Sequence, residues 1–190
     1  MNICIFCSAQ NVGEKYTRAA QETAALIAKC GHTLVWGGSD VGIMKLIADA
    51  AQREGGKLVG VSTKDFHHVA RKDADEMLLT ENLSERKKIM LERSDALLAL
   101  PGGLGTLDEL AEVMALKRTK FHAKPLVILN VDNFYEGLRL QFKRMHADGF
   151  LADRQYSRLE GETALPYFAK TPEEAIDFIE ADFLVTGKKS

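Results

Sequence analysis

The chain has 190 residues, 46% of them hydrophobic and 27% charged, with a formal net charge of −2. That length suits one sizeable domain, and that charge gives no general electrostatic case for binding nucleic acid or an anionic membrane. No apolar run approaches the roughly 18 residues that mark a membrane span, and the opening MNICIFCSAQ reads as a first strand, not a signal peptide.

Strand-like and helix-like patterns then alternate along the chain. NICIFCS is a buried strand, and EKYTRAAQETAALIAKC a helix stopped by Gly31. HTLVW is a second strand that ends in Gly37 and Gly38. IMKLIADAAQRE is a second helix, and KLVGVS a third strand. Residues 63–82 are irregular and carry His67, His68, Arg71 and Lys72; the two histidines read as surface side chains, since no carboxylate or cysteine set beside them suggests a metal. LSERKKIMLERS is a helix, with Asn82 and Glu85 spaced as a capping box. DALLALP is a fourth strand, PGGLG a turn, and 106–118 a helix. PLVILNV is a fifth strand and FYEGLRLQFKRMHADG the helix after it. Thr171 followed by Pro172 opens a last helix.

Repeated strand-then-helix units with strands apolar throughout predict an α/β fold: a single domain over 1–190, doubly wound and Rossmann-like, its parallel sheet covered by helices on both faces. Cys4 and Cys7 form a C-x-x-C inside the first strand, where residues three apart face opposite ways, so both are expected as buried thiols in a reducing cytoplasm.

Ligands of such sheets sit beyond the carboxyl ends of the strands. Two glycine turns, GGSDVG at 37–42 and PGGLGT at 101–106, fall at such ends. Glycine lets a ligand approach the backbone, and a helix starting there offers free N–H groups and a positive dipole end, which together favour phosphate. Neither a P-loop string nor the G-x-G-x-x-G dinucleotide fingerprint is present, which disfavours nucleoside triphosphate and hydride-transfer readings. Glu109 carries two readings: a carboxylate at the site, or the last member of a T-x-x-E capping box opened by Thr106. Asp108 suits the start of a helix, Arg86 and Lys87 suit a solvated basic face, and Arg93 lies where it could extend a basic rim.

PGGLGTLDE matches the P-G-G-x-G-T-x-x-E signature of the LOG family, the cytokinin riboside 5′-monophosphate phosphoribohydrolases and their bacterial relatives. The similarity extends to FCSAQ, GGSDVGIM, SERKKIMLERSDALLALPGG, KPLVILNVDNFYEGL and DGFL. It covers roughly residues 2–152, and the tail 153–190 is similar only loosely. The resemblance implies a doubly wound homodimer that hydrolyses the N-glycosidic bond of a nucleoside 5′-monophosphate, such as AMP or an N6-substituted AMP, with no metal or organic cofactor. It implies catalytic roles for Arg86 and Glu109. It also implies substrate or phosphate binding by Lys87, Gly102, Gly103, Gly105 and Thr106, by Gly37, Gly38 and Gly42, and by Ser8 and Asp108. Apolar stretches within 86–97 and 107–116 offer an interface for the second copy.

The chain departs from the family pattern at Ser39 and Lys45, where glycines are usual, at Ser84, where histidine is usual, and at Ser8 and Ala9. These positions surround the nucleotide site and bear on substrate identity more than on reaction class. Nothing marks a lysine for pyridoxal phosphate, so lysine decarboxylation is disfavoured. The alternative reading is a binding protein for a nucleotide or a pterin cofactor on the same fold.

Overall fold

The computed structural model describes residues 1–151 and 166–186. In chain order these form β1 (Asn2–Phe6), α1 (Glu14–Lys29), β2 (Thr33–Trp36), α2 (Gly42–Arg53) and β3 (Leu58–Thr63). A 3₁₀ turn, Lys64–Val69, leads to β4 (Glu76–Thr80), α3 (Leu83–Glu92), β5 (Ala96–Ala99), α4 (Leu104–Arg118) and β6 (Leu126–Leu129). After α5 (Glu136–Ala147) come β7 (Tyr167–Ala169) and α6 (Pro172–Thr186).

The strands form one sheet in the order β4-β3-β2-β1-β5-β6-β7, with every pairing parallel. Strand alternation sorts the side chains into two cores. Ile3, Ile5 and Cys7 face α1, α2 and α6, where Ala24, Ile27, Ile47, Ala51, Ile176 and Ile179 meet them. Cys4 and Phe6 face the other way, toward Met90 of α3 and Leu110 and Val113 of α4. The two N-terminal thiols are therefore buried on opposite sides of the sheet and remain free. Burial and the nearby Glu109 charge both push them far above the ordinary thiol range.

Five strands were expected, and the described residues contain seven. The two additions are the sheet's edges. β4 lies within the stretch expected to be irregular; Glu76 to Leu78 are only partly covered and Leu79 is exposed, so no clean buried run marks it. β7 is three residues long. The tail also proves to be part of the fold. Ala175, Ile176 and Ile179 of α6 are 0%, 3% and 0% exposed, and they close the core over α1. Residues 153–165 and 187–190 of that tail lie outside the described residues. Among the described residues no helix is long and apolar enough to cross a membrane.

Strand order reverses direction between β1 and β5, which opens a crevice at their carboxyl ends. The loop after β1, the Gly37–Gly42 turn after β2 and the Pro101–Gly103 turn after β5 all border it.

Candidate functional site

Arg86 is placed by the start of α3. Asn82 caps that helix, its Oδ1 accepting the Glu85 N–H at 2.9 Å. The Glu85 carboxylate returns to the Glu81 N–H at 2.8 Å, one residue earlier than the usual reciprocal bond. With the helix start fixed, Arg86 points inward and is 9% exposed. Its Nε donates to the Val61 carbonyl at 2.9 Å, and its Nη1 donates to Glu109 Oε1 at 2.9 Å.

Glu109 is 6% exposed, so this is a buried ion pair. Burial pushes the Glu109 carboxyl up from its ordinary 4.5, and the charge and hydrogen bond of Arg86 pull against that rise without cancelling it. Gly37 makes room for the pair: a Cβ there would lie 2.2 Å from Arg86 Nη2.

α4 begins at Leu104, two residues earlier than expected, with Gly103 as its N-cap. Thr106 and Glu109 are thus inside the helix, and the T-x-x-E capping box does not form. Gly103 supplies no side-chain cap, so the first-turn N–H groups face outward without one. Thr106 is 2% exposed and sits beneath Gly102, where a Cβ would come within 2.2 Å of its Oγ1. A Cβ at Gly103 or Gly105 would meet nothing within 4 Å. Internal packing therefore explains Gly102 but neither of the other two. Their bare backbone faces open space at a helix start, which suits a ligand that approaches from outside.

The second turn is built alike. α2 has Val41 as N-cap and no side-chain cap. Gly42 has φ +56°, and a Cβ on it would fall 2.1 Å from the Ala9 carbonyl oxygen, so only glycine lets the loop after β1 lie against this helix start. Ser8 opens that loop, its Oγ accepting the Gln10 N–H at 3.0 Å. Gly38, with φ +73°, completes the turn over Val61 and Met77.

Lys87, next to Arg86, reaches toward α4. Its Nζ lies 2.9 Å from Asp108 Oδ2 and 2.5 Å from Glu112 Oε2. These carboxylates raise its pKa and hold it charged. Glu112 was not singled out in the sequence, although D-E-x-x-E places Asp108 and Glu112 one helical turn apart. Also missed was Arg71, which is 7% exposed among Asp40, Asp49 and Asp73.

The expected basic rim does not extend to Arg93. That residue caps the far end of α3 and pairs with Glu76 at the amino end of β4, away from the crevice. Ser84 is exposed on the first turn of α3, and His67 and His68 are exposed on the 3₁₀ turn. Among the described residues no group of three or more His, Cys, Asp or Glu side chains could hold a metal ion.

A doubly wound sheet with two uncapped glycine turns beside its switch point belongs to the Rossmann-like class of α/β proteins, whose crevice opens at the strand carboxyl ends. The family model described as "Possible lysine decarboxylase" matches residues 44–176, and the chain belongs to that family, which is the LOG family of the P-G-G-x-G-T-x-x-E signature. A cytokinin riboside 5′-monophosphate phosphoribohydrolase of Mycobacterium tuberculosis is 38% identical over 159 residues, 83% of this chain and 85% of the relative. The one named LOG5 from Arabidopsis thaliana is 34% identical over 156 residues, 80% of this chain and 68% of the relative. Among solved structures, the molybdenum cofactor binding protein of Rippkaea orientalis superposes with a TM-score of 0.71 at 24% identity, over 95% of each chain. At that identity the likeness is one of fold.

Proposed function

We propose that this chain hydrolyses the N-glycosidic bond of a nucleoside 5′-monophosphate, AMP or an N6-substituted AMP, to the free base and ribose 5-phosphate. The observation that carries this reading is the buried Arg86–Glu109 pair, 2.9 Å apart, set between two uncapped glycine turns. The names of the relatives support the same reaction class.

The 5′-phosphate sits on the first-turn N–H groups of α4, against Gly103, Gly105 and Thr106, and its binding energy fixes the ribose over Glu109. As the glycosidic bond lengthens, its electron pair goes to the base and positive charge builds on the ribose. The Glu109 carboxylate faces that charge from a site shielded from water, where electrostatic stabilisation is strong. Water then adds to the anomeric carbon, and its proton balances the charge left on the base. Arg86, always charged and anchored at Nε and Nη1, presents its remaining N–H groups to the departing base. The raised Glu109 pKa suits a group that takes this proton from the water and passes it on toward the base.

The protein works as a homodimer in this proposal. A groove of about 400 Å³ between α4 and α5 is lined by Leu107, Leu110, Ala111, Met114, Phe142 and Met145. It continues from the phosphate turn along α4, and a second copy is its proposed occupant. Within the other stretch expected to supply an interface, Met90 of α3 is fully buried and Ala96–Ala99 is strand, which favours the α4–α5 groove as the proposed seam. The reducing cytoplasm is the proposed compartment, supported by three free cysteines.

A panel of nucleoside monophosphates, with free base read by chromatography, tests the reaction. AMP is expected to be cleaved far faster than adenosine. Equal turnover of the two would remove the phosphate argument, and tight binding of AMP without cleavage would favour a carrier.

A further inference from the structure

The turn after β2 is held from outside by a second segment. Residues 69–71, at the end of the 3₁₀ turn and just beyond it, run antiparallel to the turn after β2, with Ser39 and Ala70 bridged. The Asp40 N–H donates to the Val69 carbonyl at 2.7 Å, and the Arg71 N–H donates to the Gly38 carbonyl at 2.8 Å. The Arg71 guanidinium then fans out beneath the turn. It donates to Asp49 Oδ1 and Gln52 Oε1, both at 2.6 Å, and to Asp40 Oδ1 at 3.1 Å. Its Nε lies 2.8 Å from Asp73 Oδ1. Lys45 closes the cage, 2.8 Å from Asp49 and 3.9 Å from Asp40.

Two positions where this chain departs from the LOG pattern, Ser39 and Lys45, belong to this one cage. A glycine-rich turn is entropically expensive to hold in a single shape, and a binding surface made of backbone N–H groups works only if it is held. Here one buried arginine ties the turn to α2 and to the following loop. Arg71 itself bonds neither Arg86 nor Glu109. Its influence runs through the turn, whose Gly37 abuts Arg86 Nη2.

We infer that Arg71 is a positioning residue that fixes the Gly38–Asp40 turn in the shape that borders the ribose of the substrate, across the crevice from the phosphate on α4. The inference rests on the nucleotide-site reading above, but it can be read without turnover. Trp36, the one tryptophan of the chain, is fully buried beneath the turn, and its Nε1–H points to the Ser39 carbonyl at 3.4 Å. Its near-ultraviolet circular dichroism therefore reports the shape of the turn.

Arg71→Met tests the inference through three readouts on the full chain. The KM for AMP is expected to rise by roughly tenfold or more, with kcat changed less, as for other losses of preorganised geometry. The Kd for ribose 5-phosphate is expected to rise in parallel, and the Trp36 signal to change. Arg71→Lys keeps the charge without the planar fork and should fall between wild type and Arg71→Met. If Arg71→Met lowers the melting temperature while KM, Kd and the Trp36 signal stay at wild-type values in the folded state, Arg71 is only a brace and the inference is overturned. Should Arg71→Met not fold, Asp49→Asn removes one carboxylate, leaves Arg71 in place, and is read by the same measurements in the same way. A wild-type protein that cleaves no nucleotide would end the hydrolase reading, while the ribose 5-phosphate and Trp36 measurements would still decide the role of Arg71.

Discussion

Arg86 and Glu109 are both nearly sealed from water, and this limits how they can be probed. Removing either side chain outright strands the other as a buried charge, which typically costs about 3–5 kcal/mol of stability. Glu109→Gln softens that outcome: it removes the counter-charge of Arg86, but its amide oxygen can still accept from Arg86 Nη1. Turnover should fall about 10²-fold or more with the fold retained, since the sugar cation loses its carboxylate. Near wild-type kcat in this variant would remove Glu109 from the chemistry. Acid provides a second test. The folded state raises the Glu109 pKa above 4.5, chiefly by burial, so it holds this proton more tightly than the unfolded chain does. That contribution to stability is complete below 4.5 and is lost as pH rises through the raised value. Asp49 behaves oppositely: burial pushes it up, but Lys45 and Arg71 outweigh burial and hold it below 3.8, so its contribution is lost only at lower pH. The acid limb of kcat should therefore lie above pH 4.5, over an interval in which the urea midpoint does not drop on account of either group. Coincident loss of activity and fold across that interval would contradict the assignment.

At the scale of elements, the start of α4 is the proposed seat of the phosphate. Gly105 lies in its first turn with open space around a would-be Cβ. Gly105→Ala should therefore leave the melting temperature unchanged or raise it, the helix gaining up to about 1 kcal/mol. The new methyl group would stand where the ligand approaches, so the KM for AMP should rise. Unchanged KM with raised stability would show that the ligand does not use this helix start. The same element shows what sequence could and could not reveal. The glycine turn and the helix after it were legible, but T-x-x-E imitates a capping box and moved the expected start to residue 106. The edge strands β4 and β7 were missed because one is only partly covered and the other very short. Arg86 and Glu109 were singled out through the family resemblance. Their pairing across 23 positions has no trace in local periodicity.

For the whole molecule, the parallel alternation was legible from five apolar runs, and the sheet order with its reversal at β1 and β5 places both glycine turns on one rim. The role of the C-terminal helix was not legible, since covering α1 with Ile176 and Ile179 depends on a long-range return of the chain. The outer face of α4 and α5 yields a prediction about assembly. Ala111 is exposed on the groove and does not belong to the core, so Ala111→Glu adds a charge there without emptying packed space. Light scattering should report a dimer for wild type and a monomer for Ala111→Glu. A wild-type monomer at micromolar concentration would refute the proposed assembly.

The division of the cysteines between interior and surface has a practical consequence for labelling. Cys4 and Cys7 are locked in separate cores, whereas Cys30 is exposed at the end of α1, on the rim opposite the crevice. Partial burial and the carboxylates of Glu180 and Asp177 raise its thiol, so alkylation should be slow near neutrality and faster in mild alkali. A maleimide dye would then attach once per chain, far from Arg86 and Glu109. Mixed donor- and acceptor-labelled samples could follow subunit exchange in the proposed dimer by energy transfer while the proposed nucleotide cleavage is assayed in the same cuvette.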